Sequence, residues 1–183
     1  MKILAFAASN HPQSINQQLA LSVARLLPQA EISSLNLQDF DLPIYSEQRE
    51  AELGTPAQVQ DFLQRISEAD GLIISFAEHN GTFTAAFKNL YDWASRTQRR
   101  IFQFKPALFL AAAPGAGGAK SVLKAAVESA PYLGATLAGS VSVAHFAKVF
   151  DKEYQQICDA TLFIAIQRAV LSLQQLIVQR QAA

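Results

Sequence analysis

Between Gly71 and Ser95 the chain reads GLIISF, then AEHNGT, then FTAAFKNLYDWAS. The first six residues form a short apolar run, the pattern of a strand covered on both faces of a parallel sheet. A polar loop with one glycine breaks it, and Phe83, Ala86, Phe87, Leu90 and Ala94 then recur at helical spacing as a buried stripe. A buried strand that turns directly into a helix predicts a parallel α/β unit. In such units the carboxyl end of the strand meets a helix N-terminus, where free backbone N–H groups converge and ligands bind. The loop Ala77 to Thr82 is the first candidate site.

The same unit recurs on either side. Lys2 to Ala8 is a second apolar run; the polar stretch Ser9 to Ser14 ends it, and Ser14 can cap a helix over Ile15 to Leu27. Glu31 to Leu37 alternates apolar and polar residues, as a strand near a sheet edge does. Pro43 and Gly54 predict little regular structure in the connection that follows, and a helix over Pro56 to Ser67 closes it. Pro106 to Ala113 is a further apolar run that breaks at PGAGG before a helix carrying Val122, Ala126 and Ala130. Thr136 to Val143 supplies the fifth strand. The last helix, read roughly as Glu153 to Arg180, is apolar on more than one face, which suits deep burial or a subunit contact.

Five strands alternating with five helices predict one α/β domain over residues 1–183. Its architecture is an open five-stranded parallel sheet of order 2-1-3-4-5, with helices on both faces. That order brings three loops together at the switch point: Ser9 to Asn16, Ala77 to Thr82, and Pro114 to Gly118.

Fifteen basic residues balance fifteen acidic ones, so bulk charge selects neither nucleic acid nor an anionic membrane. The lone Cys158 excludes an internal disulfide, no Cys/His cluster has zinc spacing, and the apolar run after Met1-Lys2 is too short for a signal peptide or a membrane span. A reducing cytoplasm is the expected compartment.

Each loop admits two readings. Ser9, Ser14 and Asn16 suit turns and helix caps, and equally a phosphate cradle at a helix N-terminus. Neither a Walker motif nor GxGxxG is present, which disfavours ATP and a Rossmann dinucleotide. Among Glu78, Asn80, Gly81 and Thr82, either Asn80 or Thr82 could cap the following helix. His11 and His79 are lone loop histidines, and no side chain is singled out as catalytic. Tyr91 and Trp93 fall off the helix's main stripe, while Asp92 and Arg96 are spaced as a solvated pair. The glycines of PGAGG permit a turn or the close approach of a flat ligand.

With the three loops in view, the chain resembles the NAD(P)H-dependent FMN reductase family of the flavodoxin-like fold, which includes quinone, chromate and azo-dye reductases. The family's G-S-x-R-x-x-S-x-N phosphate loop is matched by Ala8-Ser9-Asn10-His11-Pro12-Gln13-Ser14-Ile15-Asn16. Its P-E-Y-N-G-S loop and L-K-N-x-x-D-W-A-S helix are matched by Ala77-Glu78-His79-Asn80-Gly81-Thr82 and by Phe87-Lys88-Asn89-Leu90-Tyr91-Asp92-Trp93-Ala94-Ser95. LPxY appears as Leu42-Pro43-Ile44-Tyr45, and S-P-G-x-x-G-G as Ala113-Pro114-Gly115-Ala116-Gly117-Gly118. The resemblance implies noncovalent FMN: Ser9, His11, Ser14, Ile15 and Asn16 around its phosphate, Ala77, Glu78, His79, Asn80 and Gly81 bordering the ring, and Pro114, Gly115 and Gly117 along its other side. His11, Ala77 and His79 stand where the family has arginine, proline and tyrosine, so the phosphate contact lacks arginine's fixed, forked charge.

The resemblance further implies an oxidoreductase that moves two electrons from NADPH or NADH to a small acceptor: a quinone, free flavin, azo compound or metal oxyanion. It implies a homodimer or homotetramer. Two alternatives share the fold, namely a flavodoxin-like electron carrier, which tends to present an acidic surface, and a flavin-free binding module.

Overall fold

The computed structural model describes residues 1–182. Its sheet has five parallel strands, β1 (Lys2–Ala8), β2 (Glu31–Ser34), β3 (Gly71–Phe76), β6 (Lys105–Ala112) and β7 (Ala135–Val143), in the order β2-β1-β3-β6-β7. Two short hairpins, β4 (Glu78–His79) with β5 (Thr82–Phe83) and β8 (Phe150–Asp151) with β9 (Gln156–Ile157), lie outside it. Counting the sheet strands alone, this is the expected 2-1-3-4-5 arrangement. β1, β3 and β6 are buried nearly end to end, which is why they are continuous apolar runs, whereas the edge strand β2 is mostly exposed.

Helices cover both faces. On one lie α1 (Ile15–Ala24), α7 (Ala160–Gln181) and the short α6 (Phe146–Val149); Leu19, Val23, Phe146, Ile166, Val170, Leu173 and Ile177 pack there with Ile3, Ile73 and Leu108. On the other lie α3 (Ala57–Glu68), α4 (Ala85–Thr97) and α5 (Lys120–Leu133), whose Phe62, Phe87 and Val122 pack with Phe6, Phe76 and Phe109. Phe76 stands among Phe83, Phe87 and Phe109 with ring centroids 5.0 to 5.6 Å apart, an aromatic cluster beneath the loop that follows β3.

Several local features differ from the sequence reading. The connection after β2 is not irregular: α2 (Glu47–Leu53) fits between Pro43 and Gly54, capped by Ser46 and ended by Gly54 at φ 67°. α1 stops at Ala24, and β2 at Ser34, because Leu35 and Leu37 turn into the core. The last helix begins at Ala160, not near Glu153. Asp151 accepts the amides of Glu153 and Tyr154 in the turn that joins β8 to β9, and Asp159 caps the helix. Finally, Asp92 pairs with Lys88 at 2.6 Å and Arg96 with Glu50 at 3.1 Å, so the expected Asp92–Arg96 pair does not form.

At the amino ends of the strands, Asp70 accepts the backbone N–H of Lys2 at 2.7 Å, a bond between β1 and the start of β3. That bond holds the Asp70 carboxyl below the usual aspartate range, against an opposing push from partial burial. A lowered folded value contributes stability above the unfolded pKa of about 3.9, and the contribution is lost as pH falls through the folded value. Asp70→Asn therefore flattens the melting temperature against pH below about 4, which differential scanning calorimetry between pH 2 and 5 reads directly. Parallel profiles for the two proteins would contradict it.

Candidate functional site

The carboxyl ends of β1, β3 and β6 converge on one cleft of about 310 Å³. Ser9, His11, Ser14, Ile15 and Asn16 line it from the first loop, Ala77, Glu78 and His79 from the second, and Pro114 from the third. Asn80, Gly81, Gly115 and Gly117 lie outside its walls. Gln13, Ala112 and Ala113 line it without having been singled out from sequence. The last two were legible as the end of the apolar run before Pro114.

The first loop is wound by its own side chains. Ser9 Oγ accepts the His11 amide, His11 Nδ1 accepts the Gln13 amide at 3.0 Å, and Ser14 Oγ accepts the Gln17 amide as the N-cap of α1. Each bond uses an oxygen or nitrogen lone pair. The hydroxyl protons of Ser9 and Ser14 thus stay uncommitted, and in the neutral ring His11 carries its proton on Nε2. The first amides of α1, at Ile15 and Asn16, have no intrahelical acceptor. Capping and anion binding are therefore compatible here: the cap takes a lone pair, and the donors remain for a ligand.

Asn16, which also lines the cleft, has a structural task. It is 3 % exposed, and its amide makes three hydrogen bonds: Oδ1 accepts the Ala112 amide at 2.9 Å and the Ser75 hydroxyl at 2.7 Å, while Nδ2 donates to the Ala112 carbonyl at 3.2 Å. One side chain thereby ties the head of α1 to the ends of β3 and β6. Gln17 adds a tie to β1 by accepting the Ala7 amide at 2.7 Å.

The second loop is not simply a helix N-terminus. Asn80 and Gly81, at φ 52° and 81°, form the two-residue turn between β4 and β5, with His79 paired to Thr82 and Glu78 to Phe83. Both central residues of such a turn need positive φ, which Asn-Gly supplies. The cap of α4 is Thr84, not Asn80 or Thr82. Its hydroxyl accepts the Phe87 amide and donates to the Ala8 carbonyl at 3.0 Å, joining the second loop to the first. Glu78 in turn accepts the Val122 amide at 2.9 Å in the first turn of α5, where a carboxylate is favoured by the helix dipole. In the third loop Gly118, at φ 61°, passes so close to Ser142 that a Cβ would lie 2.5 Å from its hydroxyl.

The family model for NADPH-dependent FMN reductases matches residues 1–148, which include all three loops. The chain belongs to this family. An NAD(P)H-dependent FMN reductase of Pseudomonas aeruginosa is 34% identical over 119 residues, which cover 64% of this chain and 63% of that relative. A 2-hydroxy-1,4-benzoquinone reductase of a Burkholderia species is 33% identical over 119 residues, with the same coverage. The matched stretch thus spans just under two thirds of these curated relatives. FerB from Paracoccus denitrificans, described as a flavoenzyme NAD(P)H:(acceptor) oxidoreductase, superposes with a TM-score of 0.78 at 22% identity over 97% of both chains, a likeness of fold.

In this FMN reductase family member the K-N-x-x-D-W-A-S helix has a structural explanation. Asn89 accepts the Tyr45 amide at 2.8 Å and donates to the carbonyls of Leu42 and Pro43, and the Trp93 indole donates to Pro43 at 2.7 Å. Together they pin the strap Leu42 to Tyr45 across α4. This is why Trp93, expected off the buried stripe, is 1 % exposed: the strap covers a second side of the helix, which periodicity against the sheet alone does not count. Tyr45 donates to Glu50, which also holds Arg96, and that hydrogen bond raises the phenol's pKa. Strap, α4 and Asn10 enclose a second cleft of about 410 Å³ beside the first loop. Asn89→Ala should release the strap without unfolding the sheet. Amide exchange at Tyr45 is expected to accelerate on the order of tenfold, for a local loss of ~1.4 kcal/mol. Unchanged exchange there, measured by mass spectrometry, would count against the clamp.

Proposed function

We propose that this chain is an FMN-dependent NAD(P)H oxidoreductase that passes two electrons to a small acceptor, with quinones the favoured class and free flavin, azo compounds or metal oxyanions as further candidates. One observation carries the reading. Three strand-end loops meet at one cleft, whose first wall offers two buried hydroxyls with free protons at a helix N-terminus. That donor set fits a phosphate. Beside Glu78, His79 and Pro114, the rest of the lining is the small residues Ala77, Ala112 and Ala113, which leave room for a flat ring.

In this reading Ser9, His11, Ser14 and the amide of Ile15 hold the FMN phosphate, and Asn16 positions them. Ala77, Glu78, His79, Asn80 and Gly81 border the ring; Pro114, Gly115 and Gly117 flank its other side. When bound, FMN supplies the redox chemistry, taking a hydride from NADPH or NADH and returning two electrons to the acceptor. The protein's part is orientation. Thr84 and Glu78 hold the ring-side loop against Ala8 and α5, and Asn16 fixes its distance from the phosphate loop. No side chain is assigned an acid or base role. We also read the protein as a homo-oligomer of the reducing cytoplasm, in keeping with its single, exposed Cys158.

The test is direct. Purified protein loaded with FMN should show oxidised-flavin absorption at one flavin per chain and should oxidise NADPH or NADH with a benzoquinone present. Bound flavin without turnover would turn the reading towards an electron carrier. Failure to bind FMN at all would sink it.

A further inference from the structure

The third loop lines the cleft through Ala113 and Pro114, and it is held from behind by the end of β7. The ladder between β6 and β7 closes with the pair Ala112–Val143, but the bonding runs on past it. The Ala113 amide donates to the Val143 carbonyl at 3.0 Å, the Phe146 amide to the Ala113 carbonyl at 3.1 Å, and the His145 amide to the Gly115 carbonyl at 3.0 Å. Ser142 adds its hydroxyl, which donates to the Gly118 carbonyl at 2.6 Å. The loop is therefore fastened to β7 at its start, its middle and its far end.

This fastening is not a continued ladder. In a regular parallel pair the Ala113 carbonyl would take the amide of His145; here it takes that of Phe146, one residue on, and the His145 amide is released to Gly115. Two successive amides reach the same loop, which extended backbone does not allow, because His145 turns to φ 49° and ψ 45°. That is the left-handed region, where a residue with a side chain is held only by surroundings that over-determine it. Gly118 and Ala119, on the loop's side of the contact, are left-handed as well, at φ 61° and 55°. Irregular strand ends of this kind recur beside active sites, where they re-aim a segment.

We propose that His145 and Ser142 are positioning residues for the flavin ring: the left-handed backbone at His145 sets the middle of the third loop against the cleft, and the Ser142 hydroxyl sets its far end. The inference rests on the flavin reading of the cleft, in which Pro114, Gly115 and Gly117 flank the ring. Peptide geometry says what is aimed. In a trans peptide the N–H points opposite to the carbonyl, and there is no cis bond among the described residues. With the Gly115 carbonyl turned to His145, the Ala116 amide is turned away from β7. The loop so held offers a flat ligand small residues and a backbone donor of fixed direction. The role of His145 is one of backbone: histidine, like asparagine, enters the left-handed region more readily than most residues, whereas a β-branched side chain is an outlier there.

The experiment separates backbone from side chain. Full-length wild type and its His145→Asn, His145→Gly, His145→Val and Ser142→Ala variants are titrated with FMN and with riboflavin, the visible spectrum of the bound flavin is recorded, and amide exchange at Ala113 and Phe146 is followed by mass spectrometry without flavin. His145→Asn and His145→Gly should bind both flavins within about twofold of wild type. His145→Val should weaken FMN and riboflavin alike by on the order of tenfold, shift the visible bands and speed exchange at both amides. Ser142→Ala should change the same three readouts in the same direction, and it carries the test if His145→Val does not fold. Equal losses in the Asn, Gly and Val variants overturn the backbone role and give the imidazole a contact of its own. Wild-type affinities and spectra in both His145→Val and Ser142→Ala overturn the proposal outright. Loss of FMN without loss of riboflavin also overturns it, because the third loop then serves the phosphate. A wild type that binds neither flavin overturns the reading on which the proposal rests, whereas the variant outcomes leave that reading standing.

Discussion

Asn16→Leu lowers the melting temperature by roughly 10 °C and strips the protein of bound flavin. The magnitude follows from what the substitution strands. The Ala112 amide, the Ala112 carbonyl and the Ser75 hydroxyl all bond to the Asn16 side chain, and Ser75 and Ala112 are 0 % and 3 % exposed, so water does not replace it. Each buried group left without a partner costs about 1–3 kcal/mol. Three of them, partly relieved by relaxation, amount to ~4 kcal/mol, and each kcal/mol shifts a domain of this size by about 2–4 °C. Asn16→Asp should fall between, because it keeps both acceptor bonds but turns its second oxygen toward the Ala112 carbonyl. Asn10→Ala, one loop position from the cleft and exposed, should stay within about 0.5 kcal/mol of wild type. Flavin leaves Asn16→Leu for a mechanical reason: the phosphate loop is no longer tied to the strands that carry the ring-side loops. A melting temperature of Asn16→Leu equal to that of Asn10→Ala would refute the tie.

Asn16 also shows where sequence stops informing. Its place in the loop suggested a phosphate ligand, and nothing in the spacing reveals that its partners lie 59 and 96 residues away. The sheet was legible for the opposite reason. β1, β3 and β6 are covered on both faces, so local hydrophobicity alone announces them. Strand order then followed from the alternation of elements. Trp93 misled because its burial comes from a strap whose Pro43 lies 50 residues earlier in the chain, which no helical period encodes. The Asn80-Gly81 hairpin is a different case: its turn signal is present in the sequence, but two-residue strands are too short to show alternation beside it. The start of α7 was hidden by Glu153 and Tyr154, helix-compatible residues that Asp151 captures in a turn.

Ser14→Asp should weaken FMN about a hundredfold, ~3 kcal/mol, while leaving the flavin-free protein as stable as wild type. Aspartate is as good an N-cap as serine, so the bond to the Gln17 amide at the head of α1 survives, and the helix dipole favours the added charge. What changes is the cleft. The Ser14 hydroxyl, 7 % exposed, has a proton to offer; an aspartate in its place has only lone pairs and a negative charge, set against a phosphate that is itself anionic. No lysine or arginine lines the cleft to compensate, and His11 gives no permanent positive charge. Ser14→Ala removes the donor without adding charge and should weaken FMN only about tenfold, with some loss of stability from the missing cap. Fluorescence titration of the three proteins with FMN gives the order. Riboflavin, which has the ring but no phosphate, provides the decisive comparison. If Ser14 faces the phosphate, riboflavin binds wild type and Ser14→Asp equally. If Ser14→Asp loses riboflavin as steeply as FMN, the first loop is part of the ring site, and the phosphate must be held elsewhere.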